Sequence, residues 1–455
     1  MLASLPTLTA CRPNPLPGRY TDRARILFAP YADLLGLLKQ EAAESEVPLP
    51  SPGKTRIAVV SPFLDRQHGT ERCVVEQVER LARHYEVHVY SNRVQDLDLS
   101  QITWHAVPAL PGPHLFSFCW WIIANHVWRW WDRHFGGLSY DLTFTPGTNC
   151  FNADIVSVHI VFAEFYRSVR NELKFRANPV RTWPLLAHRR IYYRLIMGME
   201  SLIYRGSRAV LTAVSGKVAR DLAYYGRDPS KCPVILHGVD ARRFNVALRQ
   251  HLRAAARRSL GVPDQALCLL LVGNDWKKKG LPCVLEALAQ LETAAVHLLV
   301  VGQDMLDPYR SALSRLHLRD RVTFLPLRPD VEFYYAAADL YVGPSLEDAF
   351  GLPPLEAMAC GLPSIVSRET GVSELITDGE DGFILKDPHD SRKLAQLISL
   401  LYNNKSIYNK MGAAAGETAA RYTWDRNATQ LMALFQAQRG GATAQLPSTV
   451  ELPRN

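Results

Sequence analysis

Residues 267–291 read LCLLLVGNDWKKKGLPCVLEALAQL. The apolar run Leu267 to Val272 ends at Gly273, and after a polar loop Leu281, Val284, Leu285, Leu288 and Leu291 recur at helical spacing. A short strand without alternation is buried on both faces, and a helix with one apolar stripe is what buries it, so this is the repeating unit of a parallel sheet. The unit recurs in both directions. HLLVVG from His297, VTFLP from Val322, LYVGPS from Leu340, PSIVS from Pro363 and GFIL from Gly382 continue the series. Upstream, Ile57 to Ser61 reads as a strand, Val74, Val75, Val78 and Leu81 as a helical face, and Val87 to Tyr90 as the next strand. ADIVSVH ends a further strand at His159, and AVLTAVS ends another at Ser215, placed as a helix N-cap.

After PVILHGVD, Pro233 to Asp240, the composition shifts to a charged helical stretch. The expectation is an α/β protein of two doubly wound, Rossmann-like domains, 55–237 and 238–418, facing a cleft lined by strand C-termini. A helix over 419–439 is expected to pack back on the first domain. Residues 1–54 and 440–455 read as tails without fixed structure, because they carry no sustained apolar period.

The chain of 455 residues is 47% hydrophobic and 21% charged, enough for two cores. Eight cysteines lie far apart with no CxxC, which reads as reduced thiols of a cytosolic protein and excludes a disulfide framework or a zinc site. A net charge of +8 points to anionic partners. Arg167, Arg170, Lys174, Arg176, Arg181, Arg189, Arg190, Arg194, Arg205 and Arg208 face only Glu164, Glu172 and Glu200, and are interleaved with aromatic residues. That mixture suits a lipid headgroup surface, here the inner face of the membrane, rather than nucleic acid. The apolar part of Leu115 to Trp131 stops at Ala124, too short to span a bilayer; a buried amphipathic helix is preferred there to an interfacial one.

The chemistry is carried by EDAFGLPPLEAMACG, Glu347 to Gly361. LYVGPS is a strand, Leu346 to Gly351 a loop, and PPLEAMAC a helix with Pro353 near its start and Gly361 beyond its end. Asp348 and Glu356 then flank the free amides of Phe350, Gly351 and Leu352, and such amides attract phosphate. Carboxylates beside a phosphate site are useful when they serve neighbouring hydroxyls, so a ligand with a hydroxyl-rich group on each side of a diphosphate fits. Lys279 sits in another strand-to-helix loop of the same domain, where an ammonium neutralises a departing diphosphate. Lys277 and Lys278 read as spare charges.

EDAFGLPPLEAMACGLPSI, VGNDWKKKG, the strand end VSVH and the closing ELITDGEDGFIL together resemble the retaining glycosyltransferases of family 4, or glycosyltransferase group 1, which have the GT-B fold. The resemblance implies that Glu356 holds the nucleotide ribose and Asp348 the donor-sugar hydroxyls. It also implies that Phe350, Gly351 and Leu352 present amides to the sugar or diphosphate, and that Lys279 holds the phosphates with Asn274 in the same loop. His159 would approach the reacting centre, and Gly69 would let the first loop come near the ligands. A nucleoside diphosphate sugar is then the donor, a glycan or lipid-linked molecule the acceptor, and neither cofactor nor metal is expected. Three positions depart from the family pattern: Asp348, preceded by Glu347, replaces the usual Glu, Asn274 stands where many members have Arg, and His237 replaces Asn before Gly-Val-Asp. Two other classes fit the residues: another GT-B enzyme, such as a nucleotide-sugar epimerase or phosphorylase, and a non-catalytic nucleotide-sugar-binding protein. A dinucleotide-dependent oxidoreductase fits poorly, since no GxGxxG follows the first strand.

Overall fold

The computed structural model describes residues 54–440 apart from 67, 172, 178, 207 and 292–294. The readings for 1–53 and 441–455 fall outside the described residues. Six parallel strands form the first sheet: β1 Arg56–Val60, β2 Glu86–Ser91, β3 Ile102–Ala106, β4 Leu142–Pro146, β5 Ile155–Val158 and β6 Val210–Ala213. Six more form the second: β7 Leu267–Val272, β8 Val296–Val301, β9 Val322–Leu325, β10 Leu340–Gly343, β11 Ser364–Ser367 and β12 Phe383–Leu385. The spatial orders are β3-β2-β1-β4-β5-β6 and β9-β8-β7-β10-β11-β12. Each sheet therefore reverses direction beside its first strand, and a ligand crevice opens at the strand C-termini there.

The helices of the first half are α1 Gly69–Leu81, α2 His114–His134, α3 Phe162–Val169, α4 Trp183–Glu200 and α5 Gly216–Asp221. Those of the second are α6 Val246–Leu260, α7 Leu281–Gln290, α8 Asp307–Arg315, α9 Glu332–Ala337, α10 Leu352–Ala359, α11 Ser391–Asn403, α12 Lys405–Ala420 and α13 Trp424–Gly440. Strand β1 lacks alternation because both its faces are covered. Ile57 and Val59 pack with Val74, Val78, Leu431 and Phe435, while Ala58 and Val60 pack with Trp121, Met199 and Ile203. The second cluster continues through Val239 and Phe244 to Phe350 and Met358, so one apolar body joins the two sheets.

Helix α13 returns the chain to the first sheet. The Gln77 amide donates to Asn427 Oδ1 at 3.0 Å, Asn427 donates to the Leu236 carbonyl at 2.7 Å, and Tyr85 meets Phe435 edge-on at 5.9 Å. Gly238 is needed where the linker passes under α13, since a Cβ there would lie 2.2 Å from the Trp424 nitrogen.

Among the described residues no helix is long and apolar enough to cross a membrane. Helix α2 nevertheless differs from the buried helix preferred on sequence grounds. It buries Trp121, Ile122, Ala124, Asn125 and Arg129 but exposes Phe116, Ile123, Val127, Trp130 and Trp131. The cause is geometric: apolar residues run all round α2, and the sheet covers only one side of it. The seven described cysteines are unpaired, and all but Cys119 are buried.

Candidate active site

At the C-terminal end of β10 the chain crosses a loop and enters α10. Gly351 is the N-cap, at φ +89°, a conformation that glycine adopts without strain. Its amide and those of Phe350 and Leu352 find no acceptor among the described residues. The loop is pinned from outside: the Asp348 amide donates to the Glu369 carbonyl at 3.0 Å, and the Val372 amide to the Phe350 carbonyl at 2.6 Å.

Lys279 and Asp348 meet, with Lys279 Nζ 2.5 Å from Asp348 Oδ2. Glu347 is not an alternative to Asp348, because its carboxylate lies 3.4 Å from Lys217 Nζ, on the other domain. Asn274 clasps the neighbouring strand end, its Oδ1 accepting from the Gln303 amide at 2.8 Å. Lys278 is no spare charge: its ammonium lies 3.2 Å from Asp275 Oδ2 and 4.2 Å from the centre of the Phe165 ring in the first domain.

Glu356, one turn inside α10, is only 3% exposed. Tyr335 Oη donates to its Oε2 at 2.6 Å, and Arg72 Nη1 from α1 lies 2.6 Å from its Oε1. Burial works against the charge of Arg72, yet the adjoining Glu356 carboxylate raises its pKa above the ordinary arginine value. Sequence reasoning missed Arg72 and Tyr335. Arg72 did carry a signal: a cation as the fourth residue of a helix opposes the macrodipole and calls for an acid from elsewhere.

His159 follows β5 and is 8% exposed. Its ring packs on His237 at 5.1 Å, and His237 in turn meets Phe350 edge-on at 5.1 Å and Trp424 at 5.6 Å. Burial lowers the His159 pKa to about 4, so its imidazole is neutral near pH 7. His159 thus reaches the Phe350 loop through His237, and no contact joins it to Lys279 or Asp348. The His237 departure acquires a physical place as the ring between two domains and α13. Gly69 is the first residue of α1, without a left-handed φ, and a Cβ there would meet nothing within 4 Å. No tight turn demands glycine at that position; what lies beside it is open space.

Further contacts close the domains on each other. Ser215 caps α5 and donates to the Ala349 carbonyl at 2.6 Å, the Gly216 amide donates to Glu374 at 2.7 Å, and Arg220 lies 3.1 Å from Glu374. The start of α5 is thereby docked on the loop that carries Asp348. Among the described residues, no group of three or more His, Cys, Asp or Glu side chains is disposed to hold a metal ion.

Comparison with known proteins accounts for this arrangement in both halves. Residues 68–243 match the family model described as Glycosyltransferase Family 4, and residues 253–418 that described as Glycosyl transferases group 1. A D-inositol 3-phosphate glycosyltransferase of Segniliparus rotundus is 34% identical over 231 residues, 49% of this chain and 50% of the relative. The chain spans about half to three-fifths of the length of the curated relatives it matches. The crystal structure of WaaG, a glycosyltransferase involved in lipopolysaccharide biosynthesis, superimposes with a TM-score of 0.69 at 20% identity, covering 83% of this chain and 99% of that one. Anabaena Alr3699/HepE in complex with UDP-glucose does so with a TM-score of 0.65 at 19% identity, covering 84% and 99%. The structural likenesses establish the two-domain GT-B fold, and with both family models matched the chain belongs to the group 1, family 4 glycosyltransferases.

Proposed function

We propose that the protein moves a sugar from a nucleoside diphosphate sugar to an acceptor with retention at the anomeric carbon. The observation that carries this reading is the start of α10, where unpaired amides lie between Asp348, already joined to Lys279, and the buried Glu356. In this reading Glu356 accepts from the ribose hydroxyls and Asp348 from the donor-sugar hydroxyls. The amides of Phe350, Gly351 and Leu352 and the Lys279 ammonium take the diphosphate. His159, neutral near pH 7, stands behind the Phe350 loop through His237 and adds no charge there.

The bond between the anomeric carbon and the diphosphate oxygen breaks as the acceptor oxygen bonds on the same face. The acceptor proton passes to the departing phosphate. Charge grows on that phosphate during the step, so Lys279 and the helix-end amides act mostly in the transition state. Because protein groups supply that charge stabilisation, turnover is expected to survive a chelator, with no cofactor beyond the donor.

On the acceptor side, α2 and α4 pack side by side through His114 and Phe118 against Tyr192. Their outward faces expose Phe116, Ile123, Val127, Trp130 and Trp131, and Trp183, Ile191 and Leu195. Arg194 is exposed on the same α4 and Arg181 in the turn just before it, while the acid of α4, Glu200, is buried beneath the Phe162 and Ala163 amides. This supports a lipid-linked or glycan acceptor met at an anionic membrane surface on the cytoplasmic side, as in cell-envelope or exopolysaccharide synthesis. The name of the Segniliparus relative supports a second acceptor, an inositol phosphate.

A thermal-shift screen of nucleoside diphosphate sugars tests the donor half, since a ligand that binds the folded state raises the melting temperature. At least one is expected to stabilise the protein and to be turned over with a lipid extract or with inositol phosphate. A donor that binds but never turns over would favour the non-catalytic reading.

A further inference from the structure

The two donor-side carboxylates are not waiting free: each is capped by a cation. Lys279 of the second domain lies on Asp348, and Arg72 of the first lies on Glu356. The Lys279 pair is expected of a cleft that binds a hydroxyl-rich anion. The Arg72 pair is not, for Arg72 crosses from the other domain and leaves one of its own donors unused where it is. Its Nε and the Glu356 Oε1 are both buried, and neither completes a hydrogen bond of regular geometry. The Glu356 Oε2 is already satisfied by Tyr335. Beside the first turn of α1, at Gly69, the space is open.

A shortage on the other side of the cleft completes the argument. Asn274 carries no charge and its Oδ1 is taken by the Gln303 amide, while Lys278 is paired with Asp275 and Phe165, and Lys217 with Asp221 and Glu347. Lys279, held on Asp348, is the cation that the second domain places beside the α10 loop, and the diphosphate carries one negative charge on each phosphate. Glu356 is the fifth residue of α10, so its backbone lies about 6 Å along the axis from Leu352, and its side chain leans back towards the helix start where the free amides are.

We propose that Arg72 is a ligand of the donor diphosphate supplied by the N-terminal domain, held on Glu356 until the ribose hydroxyls take that carboxylate and release the guanidinium to the phosphates. The exchange would leave two cations, Lys279 and Arg72, on two phosphates, and would couple nucleotide binding to the closed arrangement of the domains. The proposal rests on the nucleotide-sugar reading given above.

The test is calorimetric titration of the whole chain with UDP, GDP, ADP and dTDP, each beside its parent nucleoside. In Arg72→Ala the affinity for the diphosphate that wild type selects should fall roughly ten- to a hundredfold, the scale of a lost charge-assisted hydrogen bond. The nucleoside should bind as well as before or better, because its ribose no longer competes with a guanidinium. A purely structural role would move both ligands together. Arg72→Gln, which keeps the packing, should repeat the split. Adding Asn274→Arg to Arg72→Ala should recover diphosphate affinity and leave the nucleoside unchanged. If both ligands tighten equally, Arg72 is only a cap on Glu356, and if neither changes it is only an interdomain contact; either result overturns the proposal. Wild type that binds none of the four diphosphates overturns the donor reading itself, and this inference with it.

Discussion

Replacing Lys279 with alanine removes the one cation that the structure places directly on the Asp348 carboxylate, 2.5 Å away. Two effects follow, with different kinetic signatures. In the ground state the diphosphate loses one cation and KM rises, while Asp348, partly exposed, has the donor-sugar hydroxyls in place of the lysine. In the transition state the departing diphosphate gains charge. A unit charge at about 4 Å in a medium of effective dielectric near 20 is worth about 4 kcal/mol, and only the part that develops during bond breaking counts. A loss of about 3 kcal/mol, or on the order of a hundredfold in kcat, is the expected scale for a preorganised charge-stabilising group. Steady-state kinetics with the donor from the thermal-shift screen should therefore show kcat falling far more than KM rises. Lys278→Ala should behave differently: its loss breaks contacts with Asp275 and Phe165, one of them across the cleft, and should raise KM. Equal and modest losses for Lys277→Ala, Lys278→Ala and Lys279→Ala would mean that the loop supplies only a diffuse positive field, and would refute the role given to Lys279.

Glu356→Gln should weaken the nucleoside and the nucleoside diphosphate alike, by about 1–3 kcal/mol, since the ribose contact is common to both; unchanged calorimetric affinities would remove Glu356 from the site. His159 binds its proton less readily folded, at about 4, than unfolded, near 6.5. Its contribution to stability is thus fully present above pH 6.5 and lost as the pH falls towards 4, amounting to about 2 kcal/mol already lost at pH 5. Denaturant midpoints of wild type and His159→Asn should diverge at pH 7.5 and converge by roughly that amount at pH 5, whereas a pH-independent difference would mean that His159 titrates normally. The α2 and α4 faces should carry the protein down with anionic vesicles at low salt and release it as salt rises, and Trp130→Ser with Trp131→Ser should weaken that binding. Equal binding to neutral vesicles, or none to either, would contradict the lipid reading.

The elements that repeat were the legible ones. Continuous apolar strands such as Leu267 to Val272, the helical stripe Leu281 to Leu288 and the Ser215 N-cap each depend on residues close in sequence, and the structure realises all three. The meeting of Lys279 with Asp348 followed from two strand ends in one sheet. What escaped the sequence crosses between domains. Arg72 reaches Glu356 over 284 positions, a value given by 356 minus 72, and no local spacing encodes that approach. Lys278 looked redundant because Phe165, its partner, belongs to the other domain. The His237 departure had no local explanation because its three ring neighbours come from the residue after β5, the Phe350 loop and α13. Helix α2 was misread for the converse reason: its apolar residues match a buried helix in number, and only the tertiary arrangement shows how many of them the sheet leaves uncovered.

The central claim is that the start of α10 seats a nucleoside diphosphate between Glu356 and Lys279. A crystal structure of the protein with the diphosphate selected in the titrations tests it directly. The account predicts the ribose hydroxyls on the Glu356 carboxylate and the phosphates over the amides of Gly351 and Leu352, with the Lys279 ammonium on the phosphate farther from the ribose. A nucleotide bound elsewhere, or phosphates seated away from both Lys279 and the α10 amides, would contradict it.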